Sequence, residues 1–328
     1  MEYRNLGRSG LRVSTVGLGC NNFGRRCDQE QTTAVVHRAL DLGVTLFDTA
    51  DVYGVLEPAR EAGSPSRGLS EQYLGVALKG KRREAIIATK FMGPMGDGPL
   101  WSGGSRRYIF DAVDASLRRL DTDYIDLYQI HFPDVNTPIA ETMRALDDLV
   151  RSGKVRYLGC SNFASWQVVE AQWVARSGHL SEFVSAQNQY NLLDRRIERE
   201  LVAACNAYGL GVLPYFPLAS GFLTGKYRPG QDAPGGSRLA DAGPMADRVL
   251  TEQNFEMLTK LEAFAQSRGH SMVELAIGWL ASQPHVASVI SGATKPEQVE
   301  QNVLAAEWKL TAEEMAEVNT ITRRHEGR

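Results

Sequence analysis

The feature that most constrains this chain is an alternation along almost its whole length. Eight short apolar, β-branched runs are separated by longer stretches with helical periodicity: Val16–Cys20, Leu46–Ala50, Ala85–Lys90, Ile125–His131, Val155–Ser161, Val184–Gln189, Gly211–Phe216 and Val286–Ser291. Each run is apolar on both faces, as strands of a parallel sheet covered by helices are. Between them, Ile139, Met143, Leu146, Leu149 and Val150 form one stripe, while Glu141, Arg144, Asp147 and Arg151 turn to water. Similar stripes run through Thr32–Leu42, Ser70–Leu78, Arg106–Leu120, Trp166–Ala175, Glu198–Ala207 and Pro296–Leu304. Gly43 and Gly153 each follow such a run, where a helix ends on a left-handed residue.

Dividing 328 residues by eight units leaves 41 per unit, the spacing of a (β/α)8 barrel, the TIM barrel fold. We therefore expect an α/β protein with one barrel domain spanning 1–328. The first segment, Tyr3–Gly7 and Leu11–Thr15 around Ser9-Gly10, reads as a β-hairpin plugging the barrel bottom. One long irregular stretch, Leu218–Pro244, follows the seventh strand, on the rim where barrel active sites lie.

Composition excludes several classes. Lys+Arg 36 against Asp+Glu 39 leaves a charge of -3, which argues against a nucleic-acid partner. There is no run of about 18 apolar residues, so no membrane span is expected, and no signal-peptide pattern, so a cytoplasmic location is. Cys20, Cys27, Cys160 and Cys205 form no C-x-x-C pair and read as reduced thiols. The histidines lie too far apart for a metal motif, no G-x-S-x-G elbow is present, and no metal is expected. Nothing in the sequence sets an oligomeric state.

In a barrel, reactive side chains belong at the C-terminal ends of strands. The second run ends in Asp48 and leads to Tyr53, the third ends on Lys90 and the fourth on His131. Such a set has a specific chemistry. A phenol is a poor acid at neutral pH, and a neighbouring ammonium lowers its pKa, so Lys90 is expected to acidify Tyr53. Asp48 would neutralise the buried lysine. A neutral His131 could hydrogen-bond a substrate carbonyl.

These residues carry a resemblance to the aldo-keto reductase family. It rests on Phe47-Asp48-Thr49-Ala50-Asp51-Val52-Tyr53-Gly54, on Ser116-Leu117-Arg118-Arg119-Leu120 leading to Tyr124–His131, and on Lys154–Phe163, and it extends from about Tyr3 to Leu310. The resemblance implies that Asp48, Tyr53, Lys90 and His131 form a catalytic tetrad with Tyr53 as proton donor. It also implies transfer of a hydride from nicotinamide C4 of NAD(P)H to a small aldehyde or ketone. Ser161, Asn162 and Gln187 resemble the residues that bind the carboxamide, and Tyr215 the aromatic that stacks on the nicotinamide.

The stretch Leu218-Ala219-Ser220-Gly221-Phe222-Leu223-Thr224-Gly225-Lys226 resembles the family's pyrophosphate loop, implying contacts from Leu218, Ser220, Gly221, Leu223, Gly225 and Lys226. Gly292, Thr294, Lys295, Gln298, Gln301 and Asn302 resemble the segment that grips the adenosine end. Lys295 is the expected reader of a 2′-phosphate, so NADPH (NADP+) is favoured, with NADH possible. Asn21, Asn22 and Phe23 after the first strand, and Trp101 after the third, are candidates to line the substrate pocket. The insertion Gly54–Leu69 should overhang its substrate side. Two other readings stand beside the reductase. One is a cofactor-binding regulatory subunit resembling potassium-channel β subunits; the other is a Schiff-base aldolase using Lys90.

Overall fold

The structure is a computed structural model and describes residues 1–54, 67–240 and 243–323. It opens with an antiparallel hairpin of β1 (Tyr3–Asn5) and β2 (Arg12–Ser14). The strands β3 (Val16–Gly19), β4 (Leu46–Asp48), β5 (Ile86–Phe91), β6 (Ile125–Ile130), β7 (Val155–Ser161), β8 (Phe183–Gln189), β9 (Gly211–Tyr215) and β10 (Val289–Gly292) then pair in parallel. Their spatial order is β10-β3-β4-β5-β6-β7-β8-β9. The two ends meet, because Val212 N–H donates to His285 O at 2.9 Å and Ala287 N–H to Val212 O at 3.0 Å. That contact rounds the sheet into the expected (β/α)8 barrel and removes the open edges a flat sheet would carry.

Helices α1 (Gln29–Asp41), α2 (Leu69–Ala77), α3 (Arg106–Leu120), α4 (Ile139–Arg151), α5 (Ser165–Ser177) and α6 (Leu201–Tyr208) connect successive strands. Between β9 and β10 come α7 (Pro244–Val249), α8 (Glu252–Gln266) and α9 (Met272–Ala281), and α10 (Pro296–Ala305) and α11 (Ala312–Thr322) follow β10. Gly43 and Gly153, both at φ +78°, end α1 and α4 as expected. The start of α1 lies three residues before the apolar stripe, at a reciprocal cap in which Asp28 accepts from Gln31 N–H and the Gln31 side chain accepts from Asp28 N–H.

Two departures from the sequence reading have a physical cause. Helix α9 shows no apolar stripe because it is buried nearly all round: Met272 and every residue from Leu275 to Ala281 are covered. The eighth strand begins at Val289 rather than Val286, because Val286 reaches Val212 only through an isolated bridge.

The hairpin closes the barrel floor. Leu6 and Val13 are fully buried against Leu46, Ala88, Leu127, Leu213, Ala287 and Ile290 inside the barrel, and Arg8 N–H donates to Gly209 O at 2.8 Å. Burying each of those two side chains is worth about 1.5–3 kcal/mol. With the bottom sealed, the C-terminal rim is the end left for chemistry. Among the described residues, no helix is long and apolar enough to cross a membrane, and all four cysteines are free and buried. The insertion expected over the rim lies, from 55 to 66, outside the described residues.

Candidate active site

The barrel register brings the strand-end residues to one level: Asp48 pairs with Ala88, Lys90 with Gln129, and Ser161 with Gln187. Asp48 closes β4, Lys90 lies one residue from the end of β5, and His131 follows β6 directly. Tyr53 sits on the turn after β4, held because Tyr53 N–H donates to Ala50 O at 3.1 Å while its own carbonyl accepts from Gly68 N–H at 3.1 Å. The next residue must be glycine. Gly54 has φ +92°, and a Cβ there would lie 2.6 Å from Ser70 N.

Lys90 is fully buried and spends its three N–H groups in one place. Its Nζ donates to Asp48 Oδ2 at 2.7 Å and to Thr49 O at 2.8 Å, and reaches the Tyr53 hydroxyl at 3.5 Å. The other oxygen of Asp48 accepts from Gln187 Nε2 at 2.8 Å and Gln129 Nε2 at 3.2 Å. The His131 ring stands edge-on to Tyr53, 5.7 Å between centroids. The four residues of the expected tetrad are therefore in mutual reach.

The electrostatics differ from the sequence expectation at one point. Desolvation pulls the Lys90 ammonium down, but Asp48 and Tyr53 together outweigh it and its pKa is raised. Burial raises the Tyr53 phenol; Lys90 pulls it back only in part, and Asp48 adds to the rise. Lys90 thus moderates a burial shift instead of making the phenol acidic outright, and Tyr53 holds its proton at neutral pH. Burial, then the Lys90 charge, pushes His131 down to about 3, so its ring is neutral. Its Nδ1 is buried without a partner among the described residues.

Asp48, Tyr53 and His131 open on a cavity of about 600 Å³. Asn21, Asn22, Ser161, Asn162, Gln187, Tyr215, Leu218, Ser220, Gly221, Lys226, Gly292, Thr294, Gln298, Gln301 and Asn302 also line it. Asn162, at φ +61°, is a hub: its Nδ2 donates to His131 O at 3.0 Å and its Oδ1 accepts from the Tyr215 hydroxyl at 2.7 Å. Left-handed backbone is easier for Asn than for most residues. Phe216, Ala219 and Ser220 share that conformation, which bends the chain after β9 over the cavity.

Besides Lys90, which is buried beneath Tyr53, five expected residues are not brought to the lining. Phe23 and Leu223 are wholly buried in the apolar core, where their size and hydrophobicity place them. Gly225 caps a turn at φ +75°, facing Glu262. Trp101 is 54% exposed, with its ring against Gly96 rather than the cavity. Lys295 is an exposed helix-start residue without a capping bond. Among the residues absent from the expected site that do line it are two arginines, Arg26 and Arg238. Burial and then the charges of Arg26 and Arg25 lower Arg238, so these guanidiniums share one field. Arg238 also sits over the Phe216 ring at 5.2 Å. Their signal in the sequence was position alone: Arg25-Arg26 follows the first strand, and Arg238 falls inside the long irregular stretch.

Residues 15–323 match the family model described as the aldo/keto reductase family. The chain belongs to the aldo/keto reductase family. Similar family members include a probable voltage-gated potassium channel subunit beta of Oryza sativa subsp. japonica, 38% identical over 93% of this chain and 91% of that protein. L-glyceraldehyde 3-phosphate reductase of Escherichia coli strain K12 is 37% identical, over 93% of this chain and 87% of the relative. Versiconal hemiacetal acetate reductase of Aspergillus parasiticus is 35% identical, over 96% and 95% respectively. The reductase names among the relatives agree with an oxidoreductase built on this aldo/keto reductase barrel.

Proposed function

We propose that this aldo/keto reductase reduces an aldehyde or ketone to an alcohol with NADPH, and that Tyr53 gives the proton. The observation that carries the reading is the Asp48–Lys90–Tyr53 chain, buried at its base and open at Tyr53 to a cavity shared with His131.

The lining fits a dinucleotide. Lys226, Arg26 and Arg238 supply three positive charges, and among the described residues none of them has a carboxylate partner. Ser291 Oγ, buried in the same wall, has no hydrogen-bond partner among the described residues. Cys27 Sγ contacts Thr294 O at 3.8 Å, which puts neighbouring Arg26 beside the segment expected at the adenosine end. A pyrophosphate carries about two negative charges and a 2′-phosphate monoester adds about 1.5–2 more. Three uncompensated cations therefore favour NADPH over NADH, with Arg26 and Arg238 in the role first expected of Lys295. A reduced nicotinamide held by these residues would supply the hydride that the carbonyl carbon accepts.

The protein's own residues do the rest. Neutral His131 offers a ring N–H to the carbonyl oxygen and orients it. Tyr53 delivers its proton to that oxygen, and the Lys90 ammonium stabilises the phenolate left behind, held in place by Asp48. The Schiff-base alternative is not proposed, since it needs a neutral amine and Lys90 is tied into its charged form.

The test is NADPH oxidation with a panel of aldehydes and ketones. Tyr53→Phe should lower turnover about 10²–10⁴-fold while leaving the Kd for NADPH within about threefold. Undiminished turnover would remove Tyr53 as the donor. Tight NADPH binding with no turnover on any carbonyl would favour the cofactor-binding regulatory reading, which the channel-subunit relatives keep alive.

A further inference from the structure

A second cavity, larger than the one at Tyr53, lies among the described residues. It measures about 890 Å³ and lies on the other side of the segment after β9, with Phe216 and Ser220 forming a wall common to both. Its character is basic. Arg195, Arg196, Arg248 and Arg323 face it, against two carboxylates, Asp194 and Glu198. Arg199 lines the same rim and is engaged in a further contact.

Both carboxylates are already committed. Arg196 grips Asp194 with Nε at 2.9 Å and Nη2 at 2.6 Å, and Arg195 grips Glu198 in the same two-pronged way, 2.8 Å on each arm. These bonds leave three of the five Arg196 N–H donors free. Arg195 is further fixed by Thr322 Oγ1 at 2.7 Å and by lying 5.0 Å over the Trp279 ring. Arg248 and Arg323 have no carboxylate partner among the described residues. Asn319 Oδ1, in the same lining, is buried without a hydrogen-bond partner among the described residues. The floor is rigid as well: Asn191 Oδ1 accepts from Leu193 and Asp194 N–H at 2.9 Å each, and its Nδ2 donates to Phe216 O at 2.9 Å.

A roomy cavity in which Arg195 and Arg196 are already oriented, and Arg248 and Arg323 add uncompensated positive charge, is the chemistry that recognises phosphate, whose oxygens match the guanidinium fork. We propose that this cavity is a second small-molecule site, separate from the cofactor cavity, that binds a phosphate-bearing metabolite through Arg196, Arg248 and Arg323.

Inorganic pyrophosphate serves as the probe, titrated calorimetrically into the full-length protein saturated with NADPH and, separately, into the protein without cofactor. The expected result is one site in the saturated protein, weakened at least about tenfold by Arg248→Ala or Arg323→Ala and unchanged by Lys226→Ala. Arg248→Gln should behave like Arg248→Ala, since it keeps a polar side chain of moderate length and removes only the charge. No binding to the NADPH-saturated protein, or binding lost with Lys226→Ala and indifferent to Arg248 and Arg323, would overturn the proposal. The cofactor-free titration keeps the two readings apart: were NADPH not to bind at all, the Arg248 and Arg323 variants would still have to weaken pyrophosphate for the second site to stand.

Discussion

The ion pair beneath Tyr53 lends itself to a quantitative test. Lys90 is 0% exposed and Asp48 3%, their charged atoms are 2.7 Å apart, and two glutamine amides complete the carboxylate. Asp48→Asn keeps the shape but removes the anion, leaving a buried ammonium with neutral acceptors and no counter-charge. Breaking a buried pair from one side costs about 3–5 kcal/mol, a large share of the roughly 5–15 kcal/mol that holds a domain folded. Lys90→Met should cost about as much from the other side. The Asp48→Asn/Lys90→Met double variant contains no unpaired charge, and the amide oxygen that replaces the carboxylate can still accept from Gln187. It should therefore be more stable than the sum of the singles by about 2–3 kcal/mol. Urea unfolding followed by tryptophan fluorescence on the wild type and the three variants gives the four free energies. If the single effects simply add, within about 0.5 kcal/mol, the two groups are not coupled and the account of the tetrad's base fails. The alkaline side offers a second reading of the same pair. Because the folded-state pKa of Lys90 is raised, its stabilisation is complete below about 10.5 and should be lost as pH climbs through the elevated value.

Two further outcomes follow from the geometry. His131 is held neutral, down at about 3 against 6.5 for a free histidine, so acid favours the unfolded chain, which takes up a proton that the folded ring refuses. Between about pH 6.5 and pH 4 this should cost on the order of 3 kcal/mol; His131→Gln should flatten that limb of the stability profile, and an unchanged slope would mean that another group titrates there. On the barrel's outer layer, a Cβ at Gly278 in α9 would stand 2.7 Å from Trp308 O and 3.2 Å from Ala305 O. Gly278→Ala should therefore destabilise by about 1–3 kcal/mol through overpacking, less about 1 kcal/mol of helix propensity regained; calorimetry would contradict this by showing a higher Tm.

Much of the barrel was legible because its signals are local. Parallel strands buried on both faces leave apolar runs, amphipathic helices leave stripes, and both survive in a one-dimensional text. Where burial is complete the stripe vanishes, which is why α9 went unread while the half-exposed α4 was plain. Cavity lining is a different property. Phe23 and Trp101 have the composition of pocket residues, yet one is swallowed by the core and the other faces outward. Arg26 and Arg238, far apart in the chain, reach the same cavity only because the strand ends carry their loops to one rim.

From its residues alone this chain declared an eight-unit parallel barrel with an acid, a phenol, an amine and an imidazole at consecutive strand ends, because periodicity and strand termini are written in order along the backbone. Folding decided how those four groups influence one another and which cations face the cavity. Desolvation and distance set both, and neither exists until segments remote in sequence are packed together. So Tyr53 is raised by burial more than Lys90 lowers it, and beside Lys226 the positive charge at the cavity comes from Arg26 and Arg238 rather than Lys295.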